Sequence, residues 1–120
     1  MGDGFRVRAQ LGTPMSADTI SVNVEQDRAT VALKGEHEAY TADKLARHLA
    51  ALLTERIDVA VDLRRALFID STVVGVLMAA NKRSQEAGVD FRLVIGDETG
   101  WPVRRLLEVT GLGTQIVIVE

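Results

Sequence analysis

The residue pattern predicts a mixed α/β fold: one sheet with its helices packed mainly on one face. Three observations carry this expectation. Segments alternating with period two and segments with helical spacing follow one another in the order β-β-α-β-α-β-α-β. The first two strands are joined by the short turn Gln26-Asp27-Arg28 and should form a hairpin, whereas strands separated by helices should run parallel with right-handed crossovers. Finally, most strands alternate apolar with polar residues, and a parallel sheet covered on both faces would read as continuous apolar runs. Only Gln115–Val119 comes close to such a run.

Each element has its own signal. In Thr19–Glu25 the residues Ile20, Val22 and Val24 share one face, with Ser21, Asn23 and Glu25 on the other. Ala29–Lys34 is the second strand, with Val31 and Leu33 inward. Thr41 caps a helix running to about Glu55, with Leu45, Leu49, Leu52 and Leu53 on its buried stripe. Ile57–Leu63 is the third strand, with Ile57, Val59, Val61 and Leu63 opposite Asp58, Ala60 and Asp62. A helix follows from Ser71 or Thr72 to Ala87, stopped by Gly88. Phe91–Ile95 is a fourth strand. Pro102 suits the first turn of a short helix over Val103–Thr110, closed by Gly111 and Leu112. Gln115–Val119 ends the sheet. Residues 18–120 therefore read as one domain. Met1–Ala17 stands apart: it holds Gly2, Gly4, Gly12 and Pro14, and only Phe5–Leu11 alternates, so it is either an extra edge strand or a loose extension.

Composition narrows the function. The chain has 120 residues, 47% of them hydrophobic and 26% charged, enough for a core in a single domain. It has no cysteine, which removes disulfides, thiolate metal sites and a cysteine nucleophile. No apolar run approaches the ~20 residues of a membrane span, and no secretory leader pattern opens the chain. A cytoplasmic protein is the simplest expectation. The net charge of −3, the scattered basic residues and the 4% aromatic content argue against nucleic acid as a partner. There is no phosphate-cradling glycine loop, and both histidines lie in the first half, on different elements, so no Ser/His/Asp triad is credible. No enzymatic activity and no cofactor are expected. Glu36-His37-Glu38 alternates its side chains to opposite sides and does not converge on a metal; these read as solvated loop residues, and His48 as an exposed helix residue. Asp62 and Asp70 lack the further acidic residues that a phosphorylated-aspartate, Mg²⁺-dependent site needs.

The most informative stretch is Phe68-Ile69-Asp70-Ser71-Thr72-Val73-Val74-Gly75. It puts a hydroxyl residue directly after an acidic one where a helix begins. A helix start has unpaired N–H groups and a partial positive charge, so it tolerates an attached phosphate. Ser is also a preferred capping residue, so the physics alone leaves Ser71 as either a cap or a modifiable hydroxyl. The following helix is apolar nearly all round in its first half. Val74, Leu77 and Met78 suit a sheet-facing stripe, which leaves Val73 and Val76 partly exposed beside Ser71, either as an apolar docking patch or covered by a neighbouring helix. Trp101 is a further candidate for exposure.

Three local signatures occur in order. Leu33-Lys34-Gly35-Glu36-His37-Glu38-Ala39-Tyr40-Thr41-Ala42 comes first, then Val61-Asp62-Leu63 leading to Asp70-Ser71-Thr72-Val73-Val74-Gly75, then Val103 through Gly111-Leu112. Together they resemble the STAS domain, in particular the bacterial anti-sigma-factor antagonists, over about Asp18 to Glu120. The resemblance implies a small mixed sheet with helices chiefly on one side. It implies a non-enzymatic switch that binds an anti-sigma factor with serine kinase activity, is phosphorylated by it, and so regulates sigma-factor-dependent transcription. Ser71 matches the phosphoacceptor, with Thr72 as the alternative, and Asp70 matches the acidic residue before it. Glu38 stands where the family usually has Asp, and Val73 where it usually has Gly. Glu38, Asp70, Ser71, Thr72, Val73 and Val76 are the expected partner-binding residues, with a weak homodimer as a further expectation. The alternatives that the resemblance carries are a cytoplasmic accessory subunit of a membrane transporter and a small-molecule or nucleotide sensor.

Overall fold

The computed structural model describes residues 19–120. The extension or edge strand expected over residues 1–17 lies outside the described residues.

Five strands form one sheet in the order β1-β2-β3-β4-β5. They are β1 (Thr19–Glu25), β2 (Arg28–His37), β3 (Asp58–Ile69), β4 (Phe91–Val94) and β5 (Val117–Val119). β1 and β2 pair antiparallel through the expected hairpin, and the remaining pairs are parallel. The helices α1 (Ala39–Thr54), α2 (Ser71–Ala87) and α3 (Trp101–Val109) connect the parallel strands, and a short 3₁₀ turn, Leu112–Thr114, precedes β5. The mixed sheet with helices on one face is as expected.

Register explains the layering. Val31, Val61, Leu93 and Ile118 stand side by side on the helix face, and Ala29, Val59 and Phe91 form the neighbouring row. Most of these residues are buried; Val31, Val61 and Leu93 are fully inaccessible. The helices complete the core with Leu45, Leu49 and Leu53 from α1, Val73, Val74, Leu77 and Ala80 from α2, and Val103 and Leu107 from α3. The opposite face carries Thr30, Ala32, Asp62 and Arg92, none of them buried. Val22 and Val24 share the helix face of β1 yet are 38% and 47% exposed. Among the described residues their strand is the sheet edge, beyond the cover of the helices.

Several boundaries differ from the expected ones. β2 does not stop at Lys34 but continues to His37, and β3 does not stop at Leu63 but continues to Ile69. The alternation of β3 breaks after Leu63 because its pairing with β2 shifts twice: Ala32 faces Asp62 while Lys34 faces Arg65, and Gly35 faces Ala66 while Glu36 faces Phe68. Each shift inserts one extra residue into β3, a bulge that re-aims the side chains that follow. Ala66 and Ile69 thereby return to the core. Gly35 sits between the two shifts at φ 86°, a conformation glycine adopts without steric cost. α1 begins two residues before Thr41, with Glu38 at its N-cap position, so Thr41 is not the cap. α3 begins at Trp101, with Pro102 in its first turn. Gly88 and Gly111 are left-handed where α2 and α3 end, and Leu112 is fully buried, as the sequence suggested. β5 is the shorter segment Val117–Val119.

Candidate functional site

The site is assembled at the ends of β2 and β3. His37 pairs with Ile69 in the sheet, and the backbone N–H of Asp70 donates to the carbonyl of His37 at 3.2 Å. The starts of α1 and α2 are thus held side by side. Glu38, N-cap residue of α1, is exposed, and its carbonyl accepts from the N–H groups of Thr41 (3.0 Å) and Ala42 (2.8 Å).

Asp70 is the N-cap of α2. Its backbone is extended, and Oδ1 accepts from the N–H of Thr72 at 3.0 Å and of Val73 at 3.1 Å. Two of the unpaired donors of the helix start are satisfied by one carboxylate. That settles the open choice for Ser71. It is exposed, it is the first helical residue, and among the described residues its hydroxyl makes no hydrogen bond. Ser71 is not the cap. Thr72 is exposed as well, with its hydroxyl also unbonded among the described residues.

Val73 is a correction. It was expected to be partly exposed and to contact a partner, but it is fully buried in the core. Met78, expected on the sheet-facing stripe, is 38% exposed. The true stripe is Val73, Val74, Leu77 and Ala80, because α2 presents the i, i+1, i+4, i+7 positions counted from Val73. Val76 is half-buried and faces the furrow between α1 and α2. Glu38, Asp70, Ser71 and Thr72 lie at the end of the domain where β2 and β3 finish.

His37 is a second correction. It is not a solvated loop residue; it is 1% exposed. Its Nε2 lies 2.9 Å from the Lys34 carbonyl and its Nδ1 lies 3.0 Å from the Thr41 hydroxyl. The ring therefore ties the end of β2 to the first turn of α1. The signal was present in the alternation, since Val31, Leu33, Gly35 and His37 form one continuous period-two series of buried residues.

Further along β3, Asp62 is clamped by Arg64, whose Nε and Nη2 donate to its two carboxylate oxygens at 3.0 and 2.8 Å while its backbone N–H donates at 2.9 Å. The guanidinium's hydrogen bonds hold the Asp62 carboxyl below the usual aspartate range, against a smaller opposing effect of burial. Trp101 is 71% exposed at the start of α3. No group of three or more His, Cys, Asp or Glu able to hold a metal ion occurs among the described residues. No helix among them is long and apolar enough to cross a membrane.

Gly75, in the first turns of α2, has no packing reason to be glycine: a Cβ built there would meet no atom within 4 Å. Glycine inside a helix costs about 1 kcal/mol relative to alanine. In the sequence it closes the Asp70–Gly75 signature, where no role of its own was assigned to it.

The domain is thus a small mixed α/β sheet with helices on one face and an exposed hydroxyl at a capped helix start. Residues 20–120 match the protein-family profile described as "Mlab, STAS domain". The chain belongs to this STAS family. A sequence search of curated proteins finds no match. Among solved structures, an anti-sigma factor antagonist from Mycobacterium paratuberculosis superposes with a TM-score of 0.74 at 22% identity, over 89% of this chain and 88% of that one. The anti-sigma factor antagonist SpoIIAA in its unphosphorylated form gives 0.68 at 14% identity, over 85% of this chain and 88% of that one. The Bacillus cell fate determinant SpoIIAA in the phosphorylated form gives 0.66 at 14% identity, over 85% and 92%. These likenesses establish the fold.

Proposed function

We propose that the chain is a non-enzymatic, phosphorylation-controlled anti-sigma-factor antagonist. In this reading it acts in the cytoplasm, binds an anti-sigma factor with serine kinase activity, and is switched off when that partner phosphorylates Ser71. The observation that carries the reading is the division of labour at the start of α2: Asp70 caps the helix and leaves the Ser71 hydroxyl exposed and unbonded among the described residues. A hydroxyl engaged in capping would resist transfer; this one is available. No base is bonded to it, so the catalytic groups and ATP come from the partner.

The physical consequences differ for folding and for binding. A phosphate on Ser71 adds about −1.5 to −2 charges near neutral pH. Repulsion from Asp70 costs on the order of 1 kcal/mol in water-like surroundings. The helix dipole offsets roughly 0.3–1 kcal/mol, and the Thr72 and Val73 N–H groups already serve Asp70. The domain therefore stays folded. SpoIIAA matches this chain almost equally in its two forms, which supports that expectation. Docking is different, because a dianion trapped at an interface without a partner costs several kcal/mol, and each ~1.4 kcal/mol is tenfold in affinity. Binding should fall a hundredfold or more. Val in place of the family's Gly at position 73 does not obstruct this, because its side chain points into the core.

The test is intact-mass analysis after incubation with ATP and each histidine-kinase-like ATPase of the same genome, with site mapping. One partner should add a single phosphate at Ser71. Ser71→Ala should block the addition and still bind, and Ser71→Glu should fold and bind poorly. Mapping to Thr72 would move the switch by one residue. Tight binding to a transporter ATPase with no phosphorylation would replace this reading with the transporter-subunit one.

A further inference from the structure

The apolar rows of the sheet run on past the cover of the helices. Ile20, Val22 and Val24 of β1 stand opposite Leu33, Val31 and Ala29 of β2. The three β2 residues are buried, whereas Val22 and Val24 are exposed. β1 is an edge among the described residues, so backbone N–H and C=O groups along its seven residues face outward. Such an edge is a template for another strand unless it is blunted by short length, a proline, a bulge or an inward-pointing charge. β5, at the other edge, is blunted by its length of three residues. β1 has none of these devices. It contains no proline, its pairing with β2 runs without a register shift, and its single charged residue, Glu25, is its last.

The strand fits a second copy of itself. Two β1 strands laid antiparallel about a two-fold axis at Val22 set one Val22 against the other and each Ile20 against a Val24. Ser21 then meets Asn23 and Thr19 meets Glu25, so apolar faces apolar, polar faces polar, and no like charges are opposed. An axis at Ser21 or Asn23 keeps two apolar pairs in place of three, and a one-residue slip sets apolar against polar. The basic side chains near this edge do not prevent the pairing. Lys44, Arg47 and His48 of α1 line a cleft with Thr19 and Ile20. Because each Ile20 meets a Val24, the two clefts fall at opposite ends of the paired strands, about 14 Å apart along them. That exceeds the screening length of about 8–10 Å in ordinary buffers.

We propose that β1 is a homodimer interface. Two copies join β1 to β1 antiparallel, the two sheets become one, and Ile20, Val22 and Val24 of both copies close a shared apolar strip. The two-fold axis uses both β1 edges at once, so the assembly stops at two copies. Ser71 stands on α2, which joins β3 to β4 and lies away from this edge, so the inference does not rest on the reading of Ser71.

Sedimentation velocity of the full-length chain over a concentration series is the test. Wild type should pass reversibly from monomer to dimer. Val22→Lys sets two like charges against each other on the axis, at a site already exposed in the monomer. It should melt within a few degrees of wild type and weaken the dimer at least about tenfold. The chain has no cysteine, so introduced cysteines read the register directly. Directly opposed residues of antiparallel strands have Cα atoms about 4.5–5.5 Å apart, within disulfide reach, whereas diagonal neighbours are about 7–8 Å apart. Mild oxidation should therefore join Val22→Cys into a covalent dimer and leave Asn23→Cys largely unjoined. Wild type that stays monomeric throughout overturns the proposal; protection of the outward β1 amides from hydrogen exchange in that monomer would make a segment of the same chain the occupant. A dimer indifferent to Val22→Lys lies on another surface and also overturns it. Equal cross-linking of the two cysteine variants overturns the pairing. Should Val22→Lys fail to fold, the two cysteine variants decide alone.

Discussion

One carboxylate leaves one hydroxyl free. Asp70 Oδ1 accepts two backbone N–H bonds, and the Ser71 hydroxyl makes no hydrogen bond among the described residues. The stability consequences are opposite for the two neighbours. Asp70→Ala should cost about 0.5–2 kcal/mol in urea unfolding, as for the loss of an N-cap. Ser71→Ala should change stability by less than about 0.5 kcal/mol, as at an exposed site with no such role. Equal losses would mean that Ser71 shares the cap. A second carboxylate makes a pH prediction. Asp62 has its carboxyl depressed by Arg64 in the folded domain. The stabilisation is therefore complete above the unfolded-state value of about 3.9 and is lost as pH falls through the lower folded value. The melting-temperature gap between wild type and Asp62→Asn should be constant above about pH 5 and shrink below about pH 4. A gap that widened on acidification would reverse the sign of the coupling.

At the scale of elements, β3 decides where the site stands. Its simple alternation ends at Leu63, and two bulges carry the strand six residues further to Ile69 beside His37. Asp70 and Ser71 are delivered to the end of β2 only because those bulges return Ala66 and Ile69 to the core. The inward faces are specified on both sides of β3, by Val61 and by Leu93 of β4, each fully inaccessible. Leu93→Asp should abolish cooperative thermal unfolding, since an unpaired charge would be forced into the core. Lys82→Ala, on the exposed side of α2, should cost under about 0.5 kcal/mol. Similar melts for the two would show that the faces are wrongly assigned. Most elements were legible because each has a local signal: alternation in β1 and β3, leucine spacing in α1, Gly88 after α2. The longer β2 and β3 were not, because a bulge breaks the period on which the reading depends, and because a buried polar residue such as His37 looks like a loop residue until its partners are known.

For the whole molecule, modification and fold are separable. Ser71 lies outside the core, at the rim where β2 and β3 end, so a charge there acts on the surface and not on the packing. Ser71→Glu should melt within a few degrees of wild type while partner affinity falls at least about tenfold, a glutamate carrying less charge than a phosphate. Loss of fold in that variant would make the site structural and not regulatory.

By itself the sequence determined the order of elements, the hairpin, the one-sided arrangement of helices and the acid-hydroxyl pair at a helix start. All are local properties, carried by period, by turn residues and by residue type. Only the tertiary structure decided which hydroxyl is free, that Val73 faces the core, that His37 is an internal brace, and that Val22 and Val24 lie exposed on β1. A helix that is apolar nearly all round does not say which of its sides the sheet will take. That choice is made when register and bulges align α2 against β3 and α1, and it leaves exposed whichever side no element of the chain covers.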